Sequence, residues 1–195
     1  MFKAILAIVA VSATVVQSAS ERLPAPAFDT VSEEYAIYST IIDRVRQDDQ
    51  TKPLLIVDRT YGPVDLDELL DAYASQQQGP HLSWATLMDY RRHRTGERQL
   101  ADEFDSRQNC ALLAKEEHDE IFKEGCSGWC KFYEKHPDSS GYMGFSRVGF
   151  NRAGTEALVY SIHGCGGLCG SGGYVFLVKQ NNVWKIQKWM AAWIS

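Results

Sequence analysis

The sequence predicts an α+β protein, with a helical N-terminal half packed on a C-terminal antiparallel β-meander. Three observations carry that expectation. Apolar residues between Val31 and Val45 recur at steps of three and four. From Gly144 onward the apolar period changes to two. Turn residues such as Asn181-Asn182 then separate the alternating runs. Helices gathered in one part of the chain and strands in another mark α+β rather than α/β.

Val31, Tyr35, Tyr38, Ile42 and Val45 form one helical face, and Glu33, Asp43, Arg44 and Arg46 lie off it. Thr30 and Glu33 are spaced as a capping box. Leu54–Asp58, after Pro53, reads as a short buried strand. Asp65 and Glu68 make a second capping box, with Val64 and Leu69 as its hydrophobic staple. Leu66, Leu69, Leu70 and Tyr73 give that helix a buried face, and Gln76–Pro80 ends it. Ser83 caps a third short helix carrying Trp84, Leu87 and Met88. Arg91–Arg107 is expected to be irregular. Leu112, Leu113, Ile121 and Phe122 suggest more helix or buried loop, and Trp129, Phe132 and Tyr133 lie one helical turn apart ahead of Pro137.

The expected strands follow. Phe145–Phe150 is one, closed by a turn at Asn151-Arg152-Ala153-Gly154. Thr155–His163, Tyr174–Lys179 and Val183–Trp193 are the others. The meander over residues 144–193 is expected to pack on the 31–46 helix, burying Leu158, Tyr160 and Ile162 on a single face.

The chain has 195 residues and a net charge of −5. It opens with Lys3, an apolar run from Ala4 through Val16, and the small residues Ser18, Ala19 and Ser20. That is the pattern of a cleavable signal peptide, residues 1–20, cut after Ser18 or Ser20. The alternative is an uncleaved anchor, but the clean apolar core is shorter than the roughly 20 residues that span a bilayer. Cleavage removes one positive charge, Lys3, and leaves −6. A mildly acidic protein has no general attraction to nucleic acid or anionic membranes. Residues 21–29, with Pro24 and Pro26, read as an extended lead-in, and 30–195 as a single α+β domain. No membrane span is expected after signal cleavage, and localisation is expected to be periplasmic or secreted.

The five cysteines are Cys110, Cys126, Cys130, Cys165 and Cys169. In an exported chain they read first as disulfides, with the odd count leaving at least one unpaired or pairing between chains. Cys165 and Cys169 flank a strand connection, where chain reversal brings cysteines within bridging range. If residues 126–135 are helical, a bridge between Cys126 and Cys130 would strain the backbone, and Cys110 is then a partner for Cys126 or Cys130. A redox or nucleophilic reading of Cys165-Gly-Gly-Leu-Cys169 lacks the helix N-terminus that lowers a thiol pKa in C-x-x-C proteins. His163, two residues before Cys165, makes a Cys–His pair conceivable, but no third, orienting residue is marked. Cys126-Ser-Gly-Trp-Cys130 and the 165/169 pair together have spacings within the zinc range.

The block from Phe145 to Ser195 carries Phe-Ser-Arg-Val-Gly-Phe-Asn, Cys-Gly-Gly-Leu-Cys-Gly and a terminal Trp-Ile-Ser. It resembles a family of uncharacterised exported bacterial proteins. The resemblance implies export and a bacterial source, and it supplies no catalytic residues. The architecture also resembles cystatin-like and NTF2-like folds, which does not fix a function.

Other motifs read as structure. His163–Gly173 is glycine-rich, but a strand rather than a helix follows and no Gly-Lys-Ser/Thr is present, so it is not a phosphate loop. Asp65, Asp67, Glu68 and Asp71 lack the glycine of a calcium loop. Arg91-Arg92-His93-Arg94, with Arg98, reads as a solvated cationic cluster or a partner for the acidic surface. Trp184, Trp189 and Trp193 read as sheet core. No cofactor, metal site or catalytic constellation is expected. The leading functional reading is an exported, non-enzymatic module that binds a small ligand or protein through the sheet or the 163–173 loop. A thiol-based redox or nucleophilic enzyme using Cys165/Cys169 and a zinc-stapled structural domain are the alternatives.

Overall fold

A computed structural model describes residues 28–46, 51–61, 67, 81–93, 96–105 and 109–195. The expected signal peptide, most of the lead-in and the Asp65/Glu68 helix with its acidic cluster lie outside these residues, apart from the single residue Asp67.

The fold is α+β, built on one mixed sheet. Helix α1 (Thr30–Val45) leads into strand β1 (Leu54–Val57). Helix α2 (Trp84–His93) precedes β2 (Cys110–Leu113), α3 (Lys115–Phe122) and α4 (Gly128–Lys135). Then come β3 (Tyr142–Phe145), β4 (Gly149–Phe150), β5 (Glu156–Gly166), β6 (Cys169–Gln180) and β7 (Val183–Ile194). Sheet order is β2-β1-β3-β5-β6-β7, with β4 pairing β5 beside β3. β1 runs parallel to β2 and β3, and the remaining pairs are antiparallel.

The β5–β6–β7 meander is therefore present, but two strands from the N-terminal half join the same sheet. The segment around Leu112 and Leu113, expected as helix or buried loop, is β2 in its first part and α3 beyond Ala114. The expected strand Phe145–Phe150 is two strands, β3 and β4, interrupted at Ser146–Val148. Helix α2 runs on through Arg91-Arg92-His93, the start of the 91–107 stretch expected to be irregular. These cations occupy its last turn, where the helix dipole favours positive charge.

Helices cover both faces of the sheet. Tyr38, Ile41 and Ile42 of α1 pack on Ile56, Met143, Phe145, Val159, Val175 and Leu177. On the opposite face, Leu87 and Tyr90 of α2 pack on Leu158, Tyr160, Tyr174, Phe176 and Met190. There too, α3 and α4 cover Leu55, Val57 and Leu113 with Ile121 and Phe132. Leu158, Tyr160 and Ile162 share one buried face as expected, and that face is the one covered by α2. Alternation is obeyed, but α1 takes Ala157 and Val159, and the other residues face α2. Strand β5 is apolar at both parities because it is covered on both sides.

Helix α1 begins differently from the expected capping box. Asp29 is the N-cap, accepting from the Val31 N–H at 3.1 Å. Glu33 is instead drawn to the sheet, where it accepts the Trp184 indole N–H at 2.6 Å and pairs with Lys179. Its neighbour Glu34 is 1% exposed and joins Arg98 and Arg147, the latter at 2.9 Å. Arg98 is therefore an ion-pair partner of α1 rather than part of a solvated cluster. Arg46, expected off the buried face, is 4% exposed at the helix C-cap and donates to Ser140 Oγ at 3.0 Å.

Candidate functional site: an aromatic cleft over the 164–170 hairpin

The segment expected as a loop at 163–173 is mostly strand. β5 and β6 pair as far as Gly166 and Cys169, leaving Gly167-Leu168 as the turn, with a register shift between Gly164 and Gly166. Cys165 and Cys169 lie at disulfide distance across this tip, with Cα atoms 5.1 Å apart. In that state neither sulfur is a thiolate, so both a Cys165 nucleophile and a four-thiolate zinc site would first need the pair reduced. Cys130 is an exposed free thiol on α4, and Cys110 is half-buried on β2 against the main core. The side chain of Cys126 lies outside the described residues.

The glycines of the tip have a steric purpose. A Cβ on Gly164 would lie 2.9 Å from the Tyr142 ring and 3.0 Å from the Trp129 ring. A Cβ on Gly172 would lie 2.3 Å from the Trp193 indole nitrogen. Bare backbone thus lets aromatic rings settle against the sheet from two sides. Gly166 also has φ of 155°, which side-chain-bearing residues rarely adopt.

Those rings come from four elements. Helix α4 supplies Trp129, stacked on Tyr133 at 5.8 Å and on Tyr142 of β3 at 5.6 Å. Phe122 of α3 meets Trp129 edge-on at 5.0 Å. The Tyr133 hydroxyl donates to the Cys165 carbonyl at 2.9 Å, tying α4 to the hairpin. From β7, the Trp193 N–H donates to the Tyr160 hydroxyl at 2.9 Å. Between the two aromatic walls lies an open cleft of about 260 Å³, floored by Gly164, Gly166, Gly167 and Gly170. Leu168, 92% exposed, lies in the turn of the hairpin tip and is not part of the cleft lining.

The cleft is mainly apolar, with backbone groups as its chief polar features. It suits a flat apolar group the size of one aromatic side chain, and its walls carry no acid–base pair. A scan against family models, a search of curated proteins and a search of solved structures each found no match to this chain.

Other sequence-derived candidates fall elsewhere. His163 lies on β5 between Met143 and Ser171, and burial, with Arg46 adding to it, holds its pKa below the ordinary histidine value. Trp184 is buried and Trp189 packs on the main core, as expected, but Trp193 is 43% exposed and forms a cleft wall. Trp84, at the start of α2, is 69% exposed.

A polar cluster missed by the sequence reading sits where parallel strands β1 and β2 end. Asp58 accepts the Lys115 N–H at 2.9 Å, satisfying the start of α3, and also binds Gln99. His118 Nδ1 lies 3.2 Å from Asp119. Burial lowers the His118 pKa, with the Asp119 contact opposing. An imidazole oriented by a carboxylate resembles a general base. However, His118 Nε2 is out of solvent contact and packed among Tyr61, Phe122 and Tyr142, so it reads as part of the aromatic core. Among the described residues, no group of three or more metal-ligating side chains is present, and no helix is long and apolar enough to cross a membrane.

Proposed function

We propose that this chain is an exported, non-enzymatic binding module of the bacterial family it resembles, and that the aromatic cleft over the 164–170 hairpin is its binding site. The observation that carries the reading is the convergence of Phe122, Trp129, Tyr142 and Trp193 over a glycine floor. Aromatic walls over bare backbone give a flat apolar group large contact area with little desolvation cost. The cleft volume of 260 Å³ suits one ring system, such as the side chain of a partner or a small aromatic ligand. Export is supported by the apolar run after Lys3, the small residues at 18–20 and the bridged cysteine pair.

Saturation-transfer NMR with indole as the probe, and methyl glucoside as the polar control, tests the site. Indole should receive magnetisation from the aromatic protons of the protein, and methyl glucoside should not. Trp193→Ala should remove most of the indole signal, while Leu168→Ser in the exposed turn of the hairpin should keep it. Equal signals for the two probes, or indole contact that survives Trp193→Ala, would remove the cleft as the site. Mass analysis of material outside the cytoplasm should find Ala19 or Glu21 as the first residue; an intact Met1 there would contradict export by cleavage.

A further inference from the structure

Strand β7 is the last strand of the sheet, and among the described residues nothing pairs with its outer edge. A strand edge presents unpaired N–H and C=O groups, a template for another strand. Helix α1 lies alongside this edge, and between them runs a groove with two lobes of about 750 and 430 Å³. The lobes share Thr40 and Asp43, so they follow one seam, from Val183 at one end to Trp189 at the other. At roughly 3.3 Å per residue, that length of β7 spans about 23 Å, room for an extended segment of six or seven residues.

We infer that this groove receives an extended acidic peptide segment, which adds to the sheet as a strand beside β7 and lies under α1. Helix-flanked edge strands recognise peptides in this way: main-chain hydrogen bonds supply affinity and side-chain contacts supply selectivity. Two features of the groove choose the occupant. Lys185 and Lys188 lie opposite Val178 and Phe176 and so stand on the face of β7 turned away from α1. They take part in no ion pair among the described residues, so carboxylates on that face of the incoming strand complement them, while its other parity lies under α1 beside Ile186 and Trp189. On the α1 side, Glu33, Asp43 and Asp105 line the seam, so the carboxylates of the incoming strand belong on the other parity, beside the lysines, and its apolar residues under the helix. A second copy of the chain fits poorly. Antiparallel pairing of two β7 edges about this stretch sets Lys185 and Lys188 of one copy against those of the other, and like charges across a strand pair are unfavourable.

The test uses the full chain and two fluorescent, end-blocked octapeptides, (Val-Glu)4 and (Val-Lys)4, followed by anisotropy at low salt. The acidic peptide should bind at least tenfold tighter than the basic one, and its affinity should fall as salt rises. Lys185→Glu with Lys188→Glu should reverse the preference. N-methylating every second amide of the acidic peptide should abolish binding in one parity and spare it in the other, because only one edge of an added strand faces β7. Trp193→Ala should leave this binding unchanged, which separates the groove from the aromatic cleft. Equal affinity for the two peptides, or tolerance of N-methylation in both parities, would overturn the inference. So would concentration-dependent dimerisation lost on mutating the two lysines, since the groove would then belong to a second copy.

Discussion

Trp193 lies directly over Gly172: a Cβ on that glycine would fall 2.3 Å from the indole nitrogen and 2.6 Å from the Tyr160 hydroxyl that the nitrogen binds. The hydrogen bond and the bare glycine together hold an otherwise exposed ring as one wall of the cleft.

Gly172→Ala should therefore break the Trp193–Tyr160 hydrogen bond and lift the indole. The obstructing atoms are side-chain atoms, so the backbone can stay in place. The expected cost is about 1–2 kcal/mol, at the lower end for overpacking. Indole binding should weaken with little change in far-UV circular dichroism. Unchanged near-UV signals and unchanged indole contact would show that Trp193 does not depend on Gly172.

Reduction of the hairpin tip should act locally. The loop between Cys165 and Cys169 is too short for the large chain-entropy effect estimated for long loops. Cys165→Ser with Cys169→Ser should lower Tm by only a few degrees and leave the meander intact, while amide exchange rises at Gly164–Gly170. Indole affinity should fall, because these residues form the cleft floor. Either sulfur alkylating rapidly in native protein would reopen the thiol chemistry that pairing closes.

Both faces of β5 are covered, so Val159→Asp and Tyr160→Asp should each prevent stable folding. Val159 is fully buried against the α1 side and Tyr160 is 4% exposed against the α2 side. A buried, unpaired carboxylate costs several kcal/mol in either place. Soluble, cooperatively unfolding protein from one variant only would mean that one face is open.

Glu34→Gln removes the charge between Arg98 and Arg147. The acid is 1% exposed, whereas the two arginine side chains are 24% and 21% exposed, so water relieves part of their repulsion. The loss should fall at the lower end for a broken buried ion pair, about 3 kcal/mol in urea unfolding. A loss below about 1 kcal/mol would mean that the pair contributes little beyond its hydrogen bonds.

His118 and His163 are both held below the ordinary value of 6.5, mainly by burial. The unfolded chain thus binds protons more readily than the folded one as pH falls through that range. Their contribution to stability is complete above about pH 6.5 and is lost progressively on acidification. Tm should be lower at pH 5.5 than at pH 7.5, and His163→Gln should flatten that slope. A slope unaffected by replacing either histidine would assign the dependence to other groups.

Local signals in the sequence located α1, α2 and the β6–β7 hairpin. Asn181 and Asn182 have φ of 51° and 61°, the left-handed pair of a two-residue hairpin that their identity suggested. Ser83 accepts from the Thr86 N–H, as its position before α2 suggested. What could not be read was contact between distant segments. Cys110-Ala-Leu-Leu is an apolar run like Leu54–Val57, yet only their parallel pairing makes it a strand. Glu33 carried a correct capping spacing and lost that role to Trp184 and Lys179, residues about 150 positions away. The cleft was half visible: the glycines and cysteines of its floor stood out, but its walls come from four separate elements.

The place of β1, between β2 and β3, has a kinetic consequence. Its partners begin at Cys110 and Tyr142, so its last neighbour lies nearly ninety residues downstream of Leu55. At ~5–20 residues per second, that delay lasts roughly 4–18 s during synthesis. The β5–β6–β7 hairpins, by contrast, close within microseconds once made. Leu54-Leu55-Ile56-Val57 must wait, fully apolar and unpaired, for strands not yet synthesised. Crowded nascent chains should therefore cross-pair first through this tetrapeptide, and a charge placed just beyond it, rather than within the meander, should do most to improve the yield of folded protein.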